Sequence, residues 1–162
     1  MPALIMIYSA IDSVSWLATE NKNDKVGDRF KAWVDNWMLK AFHLPCSSEE
    51  LYGARCGILH TLTADSTLSE KKNIRCIYYA WGNSETDDLE TTFDDLNRSD
   101  LVAVHLEDLY EAFKLGMANF LENVTKDKEL TEKINKKSNR HFTNVDKEIV
   151  KTYLNNLNDR KS

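Results

Sequence analysis

The sequence contains few of the residues that break regular structure or cross-link a chain. Its 162 residues include five glycines, two prolines and three cysteines, which indicates a soluble helical protein and excludes fibrous and disordered chains. The cysteines, Cys46, Cys56 and Cys76, are odd in number and lack C-x-x-C spacing, so neither a disulfide framework nor a zinc site is expected. Reduced cysteines favour a cytoplasmic location.

Several functional signatures are also missing. No repeat, P-loop, glycine-rich dinucleotide fingerprint or serine-hydrolase elbow occurs, and we expect no cofactor and no bound metal. The apolar run 3–17 has no basic leader and contains three serines and Asp12, so it is a poor signal peptide and a poor membrane span. We expect instead a buried first helix, from about Pro2 to about Thr19, and no membrane contact.

Charge is unevenly distributed along the chain. The formal net charge is −5, but residues 1–125 carry 11 basic and 20 acidic side chains, whereas residues 126–162 carry 10 and 6. We expect 1–162 to form a single domain in which 126–162 is a basic C-terminal helical extension, ending in an amphipathic helix at about Val145–Leu157. A solvated tail is the structural interpretation of this extension, and a phosphate-binding arm is the alternative.

Apolar periodicity predicts further helices. The second helix starts near Gly27 and ends before Pro45, and its apolar residues recur at spacings of three and four. They are Phe30, Trp33, Val34, Trp37 and Met38. This stripe predicts a core face, and a stacking platform for bases is the alternative. Glu107 and Asp108 fall in the first turn of another helix, where the helix dipole favours carboxylates.

Two short segments have the β-branched and aromatic character of strands. They are Asn73–Trp81 and Leu101–His105, and we expect them to pair as a small hairpin packed on the helices. The acidic segment Glu85–Asp95 lies between them and lacks the alternating oxygen ligands and central glycine of a calcium loop. We therefore expect a solvated loop there.

The most informative stretch is Ser47–Asp65. Ser47 and Glu50 match a capping box, in which each side chain bonds a free backbone N–H of the first turn, so a helix should start here. Within this helix Arg55 falls in the middle of an apolar arc. The arc consists of Leu51, Tyr52, Ile58, Leu59 and Leu62. His60 lies about 140° further around the helix and flanks the arc.

A guanidinium among apolar side chains needs a partner, and two interpretations follow. On the structural one, Arg55 is a core arginine paired with Asp12 of the first helix, because an unpaired buried carboxylate would cost several kcal/mol, and His60 is a core histidine. On the functional one, Arg55 and His60 carry chemistry, with Glu107 and Asp108 as further candidate partners. The residues alone leave both interpretations open.

The segment Arg55-Cys56-Gly57-Ile58-Leu59-His60 resembles the motif of the HEPN superfamily, an arginine followed by four to six residues and then a histidine on a helix of an all-α bundle. The surroundings are similar too: Ile11–Leu17 on a first helix, the aromatic helix Arg29–Phe42, and Leu51-Tyr52 leading to the arginine. The resemblance covers roughly residues 1–121. It implies a mainly α, HEPN-like bundle of four or five helices, with the β-hairpin as a small insertion.

The resemblance also implies a function. Many members are metal-independent endoribonucleases of toxin–antitoxin, abortive-infection and CRISPR-associated systems, so the chain would cleave single-stranded RNA as a toxin or antiviral-defence effector. His60 would act as general acid or base on the ribose 2′-OH and the leaving oxygen, and Arg55 would hold the scissile phosphate. Because one arginine and one histidine are few groups for this chemistry, a homodimer would bring two such pairs together.

Two alternatives belong to other classes. A catalytically silent HEPN-like module that binds a partner protein or a nucleotide is favoured by an Asp12–Arg55 pair, and also by Cys56, which occupies a position that is usually polar in the ribonuclease members. A dimeric structural protein without a ligand is the third option. Cys56, four residues before His60, is also a candidate thiol nucleophile.

A second arginine–histidine match occurs later in the chain. Arg98 and His105 are separated by six residues. The arginine lies in a predicted loop and the histidine in a predicted strand, so the helical context of the motif is missing. We attribute this match to chance.

Overall fold

The computed structural model describes residues 2–19, 25–60, 74–141, 148, 149, 151 and 152. The helices in these ranges are α1 (Pro2–Ala18), α2 (Val26–Trp33, a π-helical segment Val34–Met38, and Leu39–Ala41), α3 (Ser48–His60), α4 (Thr86–Asp95), α5 (Leu106–Lys126) and α6 (Lys128–His141). The strands are β1 (Cys76–Ala80) and β2 (Leu101–His105). The mainly helical fold is confirmed, with six helices in the described ranges where four or five were expected.

The first helix buries one face and exposes the other. Its buried apolar residues follow the spacing of three and four that one helix face requires. They are Leu4, Ile7, Tyr8, Ile11 and Val14. On the opposite face Met6 is 73% exposed, so the expectation of a helix surrounded on nearly every side is wrong. None of the helices in the described ranges is both long and apolar enough to cross a bilayer.

The aromatic stripe of α2 belongs largely to the core, as predicted. Phe30, Trp33 and Met38 are buried, and Trp37 is half-buried. The π-helical segment of α2 packs against Gly116 of α5, where an added Cβ would lie 3.0 Å from the Met38 Cα and backbone N. Glycine at this position therefore allows the two helix backbones to approach closely.

The two strands pair in parallel, in a register that runs from Cys76 opposite Leu101 to Ala80 opposite His105. The hairpin prediction is therefore wrong in strand direction, because the connection between the strands is long enough to return the chain to the same end of the sheet. The solvated-loop prediction for the acidic segment 85–95 is wrong as well, since this connection contains α4. Phe93 of α4 is buried and packs on Tyr78, with ring centroids 5.6 Å apart.

Part of the basic C-terminal extension is docked on the core. Leu130 and Ile134 of α6 pack against the hydrophobic cluster, and Lys137 Nζ donates to the Trp16 carbonyl at 2.8 Å. The solvated-tail prediction is therefore wrong for 128–141. The predicted helix Val145–Leu157 lies mostly outside the described residues, and the four of its positions that are described are helical.

Candidate functional site

The third helix starts at the capping box that the sequence predicts. The Glu50 carboxylate accepts hydrogen bonds from the backbone N–H and the hydroxyl of Ser47, at 2.7 and 2.9 Å. The Ser47 hydroxyl accepts one from the Glu50 backbone N–H at 3.3 Å. Two N–H groups at the helix start thereby gain acceptors. This start sets the position of Arg55, about two turns further along α3.

The same carboxylate binds Arg75, a contact that the sequence analysis missed. Arg75 Nε and Nη2 donate to the two Glu50 oxygens at 2.6 and 3.2 Å, and Nη2 also donates to the Pro45 carbonyl at 3.0 Å. Burial alone would raise the pKa of Glu50, but the hydrogen bonds from Arg75 and Ser47 outweigh it, so this pKa lies below its ordinary value. Since Arg75 directly precedes β1, the pair ties the sheet to the start of α3.

The guanidinium of Arg55 binds the Asp12 carboxylate, as predicted. Its Nε and Nη2 both donate to Oδ2, at 2.8 and 2.5 Å. The two side chains are 14% and 19% exposed. Burial would lower the pKa of Arg55, but the hydrogen bond and charge of Asp12 outweigh it and raise this pKa. The pair joins α1 to α3, and the Asp12 Oδ1 is buried with no donor among the described residues.

Arg55 lies beside the most buried face of α3 rather than in the middle of it. The most buried apolar side chains of this helix are Leu51, Ala54 and Ile58. A half-buried stripe runs next to them along the helix. It consists of Tyr52, Arg55, Cys56 and Leu59. The predicted apolar arc also included Leu62, which lies outside the described residues.

An aromatic ring and a thiol lie next to the guanidinium. The Arg55 Cζ is 5.9 Å from the centre of the Tyr52 ring, within cation–π range, and Arg55 Nη1 is 4.0 Å from Cys56 Sγ. Gly27 makes room for Tyr52, because a Cβ there would lie 2.9 Å from the ring. Burial, and then the neighbouring Cys56, raise the pKa of Tyr52. The stripe thus combines a fixed cation, a phenol and a thiol.

His60 is the last residue of α3, and its side chain lies outside the described part of the structure. The backbone places it five positions after Arg55 on the same helix, which is more than one full turn. A joint role of the two side chains, and of Cys56 with His60, stays a prediction.

The remaining candidates lie elsewhere in the fold. Glu107 and Asp108 occupy the first turn of α5, as predicted, and both are exposed, while Arg55 has its carboxylate partner in Asp12. The two residues of the second arginine–histidine match do not lie on one helix. Arg98 lies in the turn before β2, and His105 is the last residue of that strand. The missing helical context of this match is confirmed.

A buried pair of tyrosines gave no signal in the sequence. The hydroxyls of Tyr8 and Tyr79 are 2.5 Å apart, although the residues are 71 positions apart in the chain. Burial is the largest cause of the raised pKa of each phenol. Burial also raises the pKa of the nearby Cys46 thiol to about 12. These groups are therefore protonated near neutral pH, and the tyrosine pair joins α1 to β1.

The described ranges contain no ready metal centre. No three His, Cys, Asp or Glu side chains within them are grouped so as to hold an ion. The acidic side chains of α4 are all exposed.

Replacing Asp12 by alanine is expected to destabilise the protein, because it leaves the half-buried Arg55 guanidinium without its carboxylate. We expect the free energy of unfolding, measured by chemical denaturation, to fall by about 3 kcal/mol, the lower end of the range for a buried pair. The matched control is Asp100→Ala, which removes an exposed carboxylate from Arg98 and should leave stability nearly unchanged. Equal effects of the two variants would contradict a structural role for the Asp12–Arg55 pair.

Stability should also depend on the charge of Glu50. Because folding lowers the pKa of this carboxylate, its ionised form stabilises the protein above the unfolded-state pKa of about 4.3. That stabilisation is lost as the pH falls through the lower folded-state pKa. Glu50→Gln should therefore be less stable at neutral pH and lose less stability on acidification than the parent. Denaturation midpoints across the acid range measure this, with the exposed Glu85→Gln as control, and parallel curves for parent and Glu50→Gln would contradict it.

Comparison with known proteins assigns no family to the chain. No family model, no curated protein and no solved structure matches it.

Proposed function

We propose that the chain is a metal-independent endoribonuclease that cleaves single-stranded RNA, with Arg55 and His60 as the reactive pair. The observation that supports this proposal is the Asp12–Arg55 contact, which holds the guanidinium in one orientation on the helix that also carries His60. A guanidinium oriented in advance can bind a phosphate and stabilise the charge that develops on it. In this function Asp12 is a positioning residue. The resemblance to the HEPN superfamily supplies the choice of substrate.

His60 supplies the proton transfers of the proposed reaction. Neutral imidazole removes the proton from a ribose 2′-OH, and the 2′ oxygen attacks the adjacent phosphorus. The bond from phosphorus to the 5′ oxygen breaks, and an imidazolium protonates that leaving oxygen. The products are a 2′,3′-cyclic phosphate end and a 5′-hydroxyl end. Arg55 offsets the phosphate charge throughout, since guanidinium N–H groups form strong hydrogen bonds to phosphate oxygens.

A two-fold symmetric homodimer is part of this proposal. One subunit offers one arginine and one histidine, whereas proton removal and proton donation in one turnover are more readily shared between two histidines. A two-fold axis near Arg55 and His60 brings two copies of the same patch together. The biological role proposed with it is that of a toxin or antiviral-defence effector in the cytoplasm, where the free cysteines of this chain stay reduced.

The low exposure of Arg55 favours a second candidate, a catalytically silent binding module. Two nitrogens of the guanidinium share one oxygen of Asp12, and only 14% of the arginine side chain is exposed. A phosphate would have to reach a group that is already largely enclosed. On this proposal the Asp12–Arg55 pair is structural, and the HEPN-like domain binds a partner protein or a nucleotide without cleaving RNA.

Cleavage of RNA in the presence of EDTA separates the two candidates. The purified protein should leave 2′,3′-cyclic phosphate ends, and His60→Ala should lower the rate by about 10²–10⁴ while the protein stays folded. Arg55→Lys should also fail, because lysine keeps the charge but loses the planar fork. The controls are Arg98→Ala and His105→Ala, which should cleave like the parent. An inert parent, or a His60→Ala variant that cleaves equally well, would favour the binding module.

The homodimer makes a separate prediction. Light scattering at tens of micromolar protein should give twice the mass of the chain, which is 18.7 kDa. A charge introduced at the proposed two-fold contact, Leu59→Glu, should shift the mass toward that of one chain, because two like charges would face each other across the axis. A parent that is monomeric under these conditions would refute the shared two-fold site.

A further inference from the structure

A cleft of about 200 Å³ opens on the side of the helical bundle where α1, α2, α5 and α6 meet. Its walls include Trp33 and Trp37 of α2 and Phe120 of α5, and its polar lining includes Ser15, Arg29 and Asn36. None of these residues belongs to the Arg55 stripe. The cleft is therefore a feature separate from the proposed ribonuclease site.

Two residues that line the cleft each have a buried hydrogen-bond donor without an acceptor in the described ranges. Arg29 Nε and Trp33 Nε1 are both buried, and neither has a hydrogen-bond partner among the described residues. Trp33 as a whole is 3% exposed, so its N–H is shielded from bulk water as well. A buried donor without an acceptor costs about 1–3 kcal/mol.

The charge of the lining indicates the sign of that group. Among the described residues that line the cleft, Arg29 is the one charged side chain. Within the described ranges Arg29 forms no ion pair, in contrast to Arg55 and Arg75, which are held by Asp12 and Glu50. Guanidinium and indole N–H groups can only donate. The missing partner is therefore an acceptor that carries negative charge.

The walls indicate the shape of that group. Phe120 meets Trp33 and Trp37 edge to face, with ring centroids 6.1 and 5.4 Å apart. Trp37 is only half-buried, so part of its surface remains accessible beside the cleft. An accessible indole ring favours contact with a planar ring, and a cleft of this size admits a small ligand group rather than a folded partner.

We propose that this cleft is a binding site for a small organic anion with a planar ring, whose phosphate or carboxylate group is held by Arg29. The accessible part of the Trp37 ring contacts its planar part. Nucleoside monophosphates and aromatic carboxylates share this chemistry. The site is independent of Arg55 and His60 and does not rest on RNA cleavage.

Isothermal titration of the full chain tests the proposal. The probes are adenosine and uridine monophosphates, benzoate and indole-3-carboxylate. Two control compounds accompany them: adenosine, which has the ring without the anion, and inorganic phosphate, which is the anion without the ring. At least one ring-bearing anion should bind, and its neutral or ring-free counterpart should bind at least about tenfold more weakly, since a hydrogen bond to a charged group has that effect. Tighter binding of either the phosphates or the carboxylates identifies the class of the natural ligand.

Variants of the lining residues assign the contacts. Arg29→Gln should weaken binding at least about tenfold. Trp37→Ala should weaken binding as well, because it removes the accessible ring. Arg98→Gln is the matched control, because it removes the same charge from an exposed turn and should bind like the parent. The ligand should also raise the melting temperature of the parent more than that of Arg29→Gln, which shows that the site belongs to the folded state.

Three results would overturn the proposal. The first is that no ring-bearing anion binds at millimolar concentration. The second is that adenosine binds as tightly as its monophosphate, which would make the site merely apolar. The third is that Arg29→Gln, shown to be folded by circular dichroism, binds every probe as tightly as the parent. None of these results bears on RNA cleavage by Arg55 and His60.

Discussion

One buried carboxylate, that of Glu50, joins the start of α3 to the sheet. It closes the start of α3 through Ser47 and receives Arg75 from the residue before β1. A carboxylate that is 6% exposed is stable in its charged form only while these donors are present. The start of α3 and the attachment of the sheet therefore depend on each other. The position of Arg55 depends on the start of α3, because this arginine lies further along the same helix.

The features that could be predicted are those with a local pattern. The start of α3 follows from Ser47 and Glu50, three residues apart, and the core face of α2 follows from the spacing of its aromatic residues. The Asp12–Arg55 pair could be predicted from two opposite charges set among apolar residues on two helices. Each of these inferences needs only helix geometry and the cost of burying a charge.

The features that could not be predicted depend on pairing over long distances. Alternation and β-branching indicate that a strand exists, but they do not give its direction, so the parallel sheet was missed. In α4 the acidic side chains outweigh the apolar ones, and Phe93 is its one buried residue, so the periodic signal is weak. Arg75 before β1 had no neighbour in sequence that indicated Glu50. The Tyr8–Tyr79 contact likewise had no local signal in the sequence.

Three arginines of this chain illustrate why charge in a sequence does not identify a site. Arg29, Arg55 and Arg75 all lie next to apolar residues in regular structure or directly before it. In three dimensions Arg55 and Arg75 are each held by a carboxylate, whereas Arg29 lines a cleft and has no carboxylate partner among the described residues. The difference comes from the packing of helices distant in sequence. Both the ribonuclease proposal and the anion-site proposal therefore depend on which arginine a ligand can reach.

The parallel sheet also bears on the order in which the chain folds. Twenty residues, 81–100, separate the end of β1 from the start of β2, and the chain loses the entropy of closing this loop before any hydrogen bond forms between the strands. Helices such as α2 and α5 form from contacts between residues only a few positions apart, which are fast to make. We therefore expect the sheet to be completed late, on helices that already exist. Until the sheet forms, the Tyr79 hydroxyl is not held in position for its hydrogen bond with Tyr8.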